Sequence, residues 1–346
     1  MSARARATRR ARRQRGQLVA PSTAKDNHGP AWQRWIKRVG GTVFFCGVAF
    51  LLVREARGIA WHEVLAAARA YTGPQLLGAA ALAVASLTLY SCFDLLGRHY
   101  TGHRLGAAPV MAVTVISYVF NLNLGSLVGA LALRFRLYSR LGLRYGVIAR
   151  VVSLSMLTNW LGYALVAGVV FTLLPPALPR DWPLSAGGWP FLGAGLLALG
   201  AAYLLLCAYS RRRCFHLRGH DLQLPGLKLA VVQSAMGAAN WLLMSGILFM
   251  LLPGAVPYPT VVGVLLVAAG AGALAHIPAG LGVLEAVFVT LLSGYAGKSE
   301  LLAALVVYRL VYYLVPLALA ALAYVGAEAL TRTTRALPTA TPPPGC

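Results

Sequence analysis

The 346-residue chain is 58% hydrophobic and only 12% charged, against about 25% charged residues in an average soluble domain. Its net charge of +22 would suit a nucleic-acid partner, but 11 of the 31 Lys and Arg lie in positions 1–38 and most others in two loops, which is how a polytopic membrane protein marks one side of the bilayer. Alternating segments of about ten residues, the mark of a membrane β-barrel, are missing, so composition points to an all-α polytopic membrane protein and away from nucleic acid.

The chain opens on "MSARARATRRARRQRG", a basic stretch whose composition predicts a disordered tail. Residues 1–35 are read as a cytoplasmic tail that either simply fixes orientation or also touches anionic lipid. Apolar segments follow at 36–53, 75–97, 107–133, 147–174, 190–209, 227–252, 258–296 and 301–328, and a spanning helix needs about 20 mostly apolar residues. Residues 330–346, ending "PTATPPPGC", read as a Pro-rich cytoplasmic tail. Cys46, Cys92 and Cys207 read as small apolar residues, and no cysteine spacing suggests a disulfide or a metal site.

Loop charges set the topology. The stretch 134–150 carries five arginines, and 210–228 carries five Lys and Arg. Simple alternation would place both outside. All strongly basic loops fall inside if 107–133 enters from the cytoplasm, turns and returns. A turn is supplied by "NLNLGSLVG", with Asn121, Asn123, Gly125 and Gly129, residue types that accompany helix breaks at membrane depth. The segment 258–296 is too long for one span and breaks at "HIPAGLG". Pro278 removes a donor and disfavours helix at Ile277. Gly280 and Gly282 let the chain turn. These readings predict about six full spans, two re-entrant hairpins and a transmembrane domain over 36–329. Its halves, 36–174 and 190–329, each cross three times and are inverted relative to one another, an arrangement found in transporters with sites at the breaks.

Chemistry gathers at the same breaks. Glu285 follows the second break by three residues, and a charge at the bilayer centre costs about 2.5–3.5 kcal/mol or more. At 1.5 Å per residue, Glu285 lies about 17 Å and Arg309 about 12 Å from the outer surface, so the two are placed to pair. That pair is either a structural lock or part of a headgroup or proton site. Arg134 follows the first break, either as an orientation charge or as a ligand for a lipid phosphate. Asp94 either pairs with Arg98 at i,i+4 or joins the cavity. His276 either caps the broken helix or relays protons. Asn121 and Asn123 serve the turn first and a ligand second. Tyr308, Tyr312 and Tyr313 read as packing or interfacial aromatics.

Two enzyme-like signals fail. In "WHEVLA", Ala66 stands where a zinc helix needs its second histidine. "CFHLRGHD" matches no common ligand spacing. No metal, cofactor or soluble catalytic domain is expected.

With those residues in view, "IPAGLGVLEA" and "NLNLGSLVGALALRFRLYSRLG" resemble the two motifs of the transmembrane-domain family of lysylphosphatidylglycerol synthases. The resemblance spans roughly residues 36–330, and the first break lacks the proline that many members carry. It implies a polytopic fold with two re-entrant segments, translocation of aminoacylated phosphatidylglycerol, and cavity roles for Glu285, Arg134, Asn121 and Arg309. The aminoacyltransferase domain of the two-domain relatives is expected to be missing. The expected function is a bacterial inner-membrane lipid translocase acting on a phospholipid or aminoacyl-phospholipid, with both termini cytoplasmic. Membrane lipid is the expected partner, beside a second copy or a partner synthase. The rivals are a secondary transporter of a small solute, an intramembrane transferase on a lipid-linked substrate, and a non-catalytic scaffold. No ATP-binding loop of the form G-x-x-x-x-G-K-[ST] is present.

Overall fold

The computed structural model describes residues 66, 69–125, 131–175, 187–210, 214–217, 220–252, 254, 256–275 and 282–323. They belong to one compact unit, Ala60–Cys346. The expected span 36–53, both tails, Gly129, His276, Pro278 and Gly280 lie outside the described residues.

The helices are α1 (Gly73–Thr101), α2 (Ala107–Leu124), α3 (Arg134–Arg140), α4 (Tyr145–Leu173), α5 (Gly188–Tyr209), α6 (Leu227–Leu251), α7 (Tyr258–Ala275), α8 (Val283–Leu292) and α9 (Lys298–Arg309). The last continues through a π-helical turn, Leu310–Leu314, and remains helical to Ala323. Between α5 and α6, Cys214–Leu217 and His220–Gln223 form a small antiparallel β-hairpin. Among the described residues, seven helices are long and apolar enough to cross a membrane. The protein is an all-α polytopic membrane protein.

The chain makes these helices because their apolar stretches leave backbone groups with no water to bond, so each residue must satisfy its own ladder. Pro74 falls in the first turn of α1, where its missing N–H costs nothing. The Thr72 N–H is capped by Gln75 Oε1 at 3.1 Å. Three long helices, α1, α4 and α6, pack on one another and form the centre. At the α4–α6 crossing, a methyl added to Gly162 would fall on the backbone of Gly237, and one added to Gly237 would fall on the Thr158 carbonyl. Only glycine lets two backbones approach so closely, a common device where lipid supplies no hydrophobic drive for association. Beside this crossing, Gln233 Nε2 donates to Thr158 Oγ1 at 3.0 Å and Tyr203 donates to Gln233 Oε1 at 2.9 Å, so α4, α5 and α6 share a satisfied polar contact. The outward face of α5 is apolar and uncovered, with Phe191, Leu199 and Tyr209 exposed.

The broken segments surround this centre. α2 packs on α1, α3 on α2 and α4, α7 on α4 and α6, and α8 on α7 and α9. α2 and α7 have 18 residues each, about 27 Å at 1.5 Å per residue, close to the ~30 Å hydrocarbon core. α8, with 10 residues, covers only about 15 Å. Both breaks fall where Gly, Asn and Pro interrupt the apolar runs. α2 ends on Gly125 (φ 86°), and Gly282 (φ 80°) opens α8. Positive φ is strained for residues with a Cβ, so glycine sits at the described edge of each break.

Candidate functional site

The second break carries its own cap. The Gly282 N–H donates to Glu285 Oε2 at 2.9 Å, satisfying one of the free donors at a helix start. The other carboxylate oxygen, Oε1, meets Arg309 Nη2 at 2.8 Å. Arg309 is the last residue of α9, directly before the π turn. The side chains of Arg309 and Glu285 are 17% and 27% exposed, so the pair is partly open. The depth arithmetic therefore paired the correct residues.

The first break carries a different arrangement. Residues 131–133 form a π-helical turn that runs straight into Arg134. Each ion-pair arginine thus abuts a π turn, a rare element that often marks functional positions. The Arg134 side chain is 1% exposed and that of Asp94 is 0% exposed, with Nη2 and Oδ1 3.5 Å apart. Asp94 does not take Arg98, four residues on, as its partner. It takes Arg134, and its Oδ2 accepts from the Tyr138 hydroxyl at 2.7 Å. Arg134 Nη1 donates to Ser155 Oγ on α4 at 3.3 Å. Its guanidinium also lies 5.8 Å from the centre of the Tyr90 ring, within cation–π range. Arg134 Nε and Nη2 and Asp94 Oδ1 find no hydrogen-bond partner among the described residues. Arg134 is thus a buried member of an interior cluster rather than a surface orientation charge.

Uncharged groups join the two breaks. The Tyr90 and Tyr118 rings stack at 3.5 Å. The Tyr118 and Tyr312 hydroxyls lie 3.1 Å apart, and Tyr312 is 2.7 Å from Ser86 Oγ. Ser86 in turn donates to Asn240 Oδ1 at 2.8 Å. Tyr312 lies in the π turn, so that turn is tied at once to α1 and α2. Tyr308 and Tyr313 flank it with rings 5.7 Å apart. Asn123 Nδ2 donates to Val119 O at 2.8 Å and Tyr313 O at 3.3 Å, so Asn123 ties the first break to the last helix. Asn121 contributes its backbone carbonyl, which accepts the Gly125 N–H at 3.0 Å.

Sequence reasoning named Asp94, Asn123, Arg134, Glu285 and Arg309. It missed Ser86, Tyr90, Tyr118, Tyr138, Ser155 and Asn240, and it read Tyr312 as packing. The available signal was a polar or hydroxylated residue inside each apolar helix, too common in membrane helices to single these out. In the loop after α1, His103 is held below the ordinary histidine range by loss of water and by Arg98, against the opposing pull of Asp94. Among the described residues no group of three His, Cys, Asp or Glu is placed to hold a metal.

The sequence has relatives. The family model described as the lysylphosphatidylglycerol synthase TM region matches residues 38–320. The chain is 44% identical to the inner membrane protein YbhN of Escherichia coli (strain K12) over 308 residues, covering 89% of this chain and 96% of that protein. It is 30% identical over 301 residues to the uncharacterized protein slr0712 of Synechocystis sp., covering 84% of this chain and 92% of that one. With both motifs of the sequence resemblance inside the matched range and seven spanning helices beneath them, the chain belongs to the lysylphosphatidylglycerol synthase transmembrane-region family.

Proposed function

We propose that this protein is an inner-membrane lipid translocase, moving a phospholipid or aminoacyl-phospholipid headgroup between leaflets while the acyl chains stay in the bilayer. The observation that carries it is the Glu285–Arg309 pair, which sits at a helix break, inside membrane-spanning sequence, and is partly open. Charges at this depth are expensive and tend to mark a path. A pair of opposite charges suits a headgroup. Arg309 offers donors to a phosphodiester, and Glu285 offers an acceptor to an ammonium group. Membership of a family named for a lipid synthase favours lipid over a soluble solute. We read the protein as a translocase rather than an enzyme.

In this reading the α2/α3 and α7/α8 segments are re-entrant hairpins entering from opposite sides, and the halves 36–174 and 190–329 are an inverted repeat. The glycine at each break and the arginine beside each π turn support that symmetry. Both termini are cytoplasmic, as the basic N-terminal tail argues. Membrane lipids are the partners, with a second copy or a lipid-modifying synthase as further candidates.

The test is lipid movement in proteoliposomes, using labelled phosphatidylglycerol and an aminoacylated form. Wild type should speed the loss of leaflet asymmetry, and Glu285→Gln and Arg309→Ala should abolish the gain. Well-folded protein that accelerates no lipid would sink the reading.

A further inference from the structure

The Arg134 site has the composition of an anion site that is closed by its own carboxylate. A guanidinium presents five N–H donors. Here Nη1 reaches Ser155, Nη2 faces Asp94 as an ion pair, and Nε finds no hydrogen-bond acceptor among the described residues. Asp94 Oδ1 approaches Nη2 only to 3.5 Å and is itself without a hydrogen bond. Buried polar groups are normally satisfied. A long ion pair and a spare Nε on a fully buried arginine leave the guanidinium short of acceptors, which an oxyanion would supply.

Charge balance then dictates what must accompany that anion. Arg134 and Asp94 together carry no net charge, and both are sealed from water. Adding a phosphodiester would leave the site at −1, which a buried, poorly polarisable setting opposes strongly. Neutrality returns if Asp94 takes up one proton as the anion arrives. Before the exchange the site holds Arg134⁺ and Asp94⁻. Afterwards it holds Arg134⁺, the phosphodiester anion and neutral Asp94. Tyr138 makes the exchange feasible. Its hydroxyl donates to Asp94 Oδ2, yet it also lies 3.5 Å from Val110 O and from Thr114 Oγ1. The hydroxyl can redirect its proton towards either and accept one from neutral Asp94. The groups acting on Asp94 are Tyr90 on its own helix, His103 in the following loop (which also feels Arg98), and Arg134 and Tyr138 on α3. α4 contributes Ser155. α3 is short and is bounded by the π turn on one side and Gly142 (φ 86°) on the other.

We propose that Asp94 is a proton-coupling carboxylate: an anionic phosphodiester headgroup binds Arg134 only as Asp94 takes up a proton, so one proton accompanies each headgroup. This rests on the translocase reading for its physiological role, but the binding step can be tested without it.

The experiment uses the full chain purified in detergent, in weakly buffered solution with a pH-indicator dye. The probes are dioctanoyl phosphatidylglycerol, the water-soluble glycerophosphoglycerol headgroup, and uncharged dioctanoylglycerol as control. Wild type should take up about one proton per phosphatidylglycerol bound, as charge balance requires. Its affinity should fall roughly tenfold per unit rise in pH, the slope for one linked proton. Asp94→Asn should bind the lipid with no proton uptake and a flat pH profile, and Asp94→Glu should restore the slope. Because Asp94→Asn leaves a buried guanidinium unpaired and can fail to fold, Asp94→Asn with Arg134→Gln keeps the site neutral and should neither bind the phosphodiester nor take up a proton. Uptake with the soluble headgroup alone would keep the coupling and assign the site to a soluble phosphodiester. Wild-type binding with no uptake, a pH slope that survives Asp94→Asn, or no binding of any phosphodiester would each overturn the proposal. Proton-linked binding without movement in proteoliposomes would remove the translocase reading and leave this one standing.

Discussion

The two breaks use the same parts and reach opposite environments. Each has a glycine of positive φ at its described edge, an arginine beside a π turn, and one acid facing that arginine. At the second break the pair is short (2.8 Å) and partly open. At the first it is long (3.5 Å), sealed and backed by Tyr138, Ser155 and Tyr90. Geometry and exposure thus run in opposite senses. A partly exposed pair has fewer neighbours to hold it away from an optimal distance. A sealed pair is held by whatever surrounds it. One break is therefore suited to first contact with a headgroup, and the other to a step in which charge must be balanced internally.

Substitutions can break this contrast, and the largest effect is expected at the sealed pair. Asp94→Asn strands a buried guanidinium and should cost about 3–5 kcal/mol of stability, read as a large loss in thermal midpoint in detergent. Adding Arg134→Gln should recover much of that loss, because the pair's net worth is far smaller than the cost of halving it. Next comes Gly162→Ala at the α4–α6 crossing, which forces two backbones apart and should cost about 1–3 kcal/mol, visible in the yield of monodisperse protein. Tyr312→Phe removes the hydroxyl that meets Ser86 and Tyr118 and should cost about 0.6 kcal/mol, the mean for hydrogen bonds between membrane helices. If it costs several times more, the two breaks are coupled more tightly than their hydrogen bonds imply. Glu285→Gln should cost less stability than Asp94→Asn, because the pair is partly exposed and the amide oxygen can still cap Gly282, while lipid movement should collapse. A stability loss as large as that of Asp94→Asn would erase the contrast.

The smallest effect is a pH dependence at His103. Its folded-state value lies below the ordinary histidine value of about 6.5, so the unfolded chain binds the proton more readily. Stability from this group is fully present above that value and is lost as pH falls through it towards the folded-state value. His103→Gln should flatten that limb in a series of thermal melts.

Much of the fold was legible because its punctuation is local. Gly, Asn and Pro clustered inside an apolar run announce a break where single ones such as Gly162, Gly237 and Asn240 do not, and α2 ends and α8 begins at such clusters. The Glu285–Arg309 pair was legible because rise per residue converts sequence position into depth, and few charges compete at that depth. The Asp94–Arg134 pair was not. Arg98 stands four residues from Asp94 and is a sufficient local partner, whereas Arg134 reaches it only because α3 folds back against α4. Ser86, Asn240 and Tyr312 lie 154 and 226 residues apart in sequence, and nothing periodic links them. Their proximity comes from packing of α1, α6 and the π turn, which no single segment encodes.

The glycine crossing of α4 and α6 has a consequence for how motion in this protein can be observed. A slide or rotation that carried a residue with a side chain into this contact would meet backbone, so the crossing is expected to serve as a fixed origin. Two spectroscopic labels placed on α4 and α6 near it should hold one distance in every state. A label on α3 or α8, measured from the same origin, would then report the displacement of each broken segment separately, and whether the two move together or in turn.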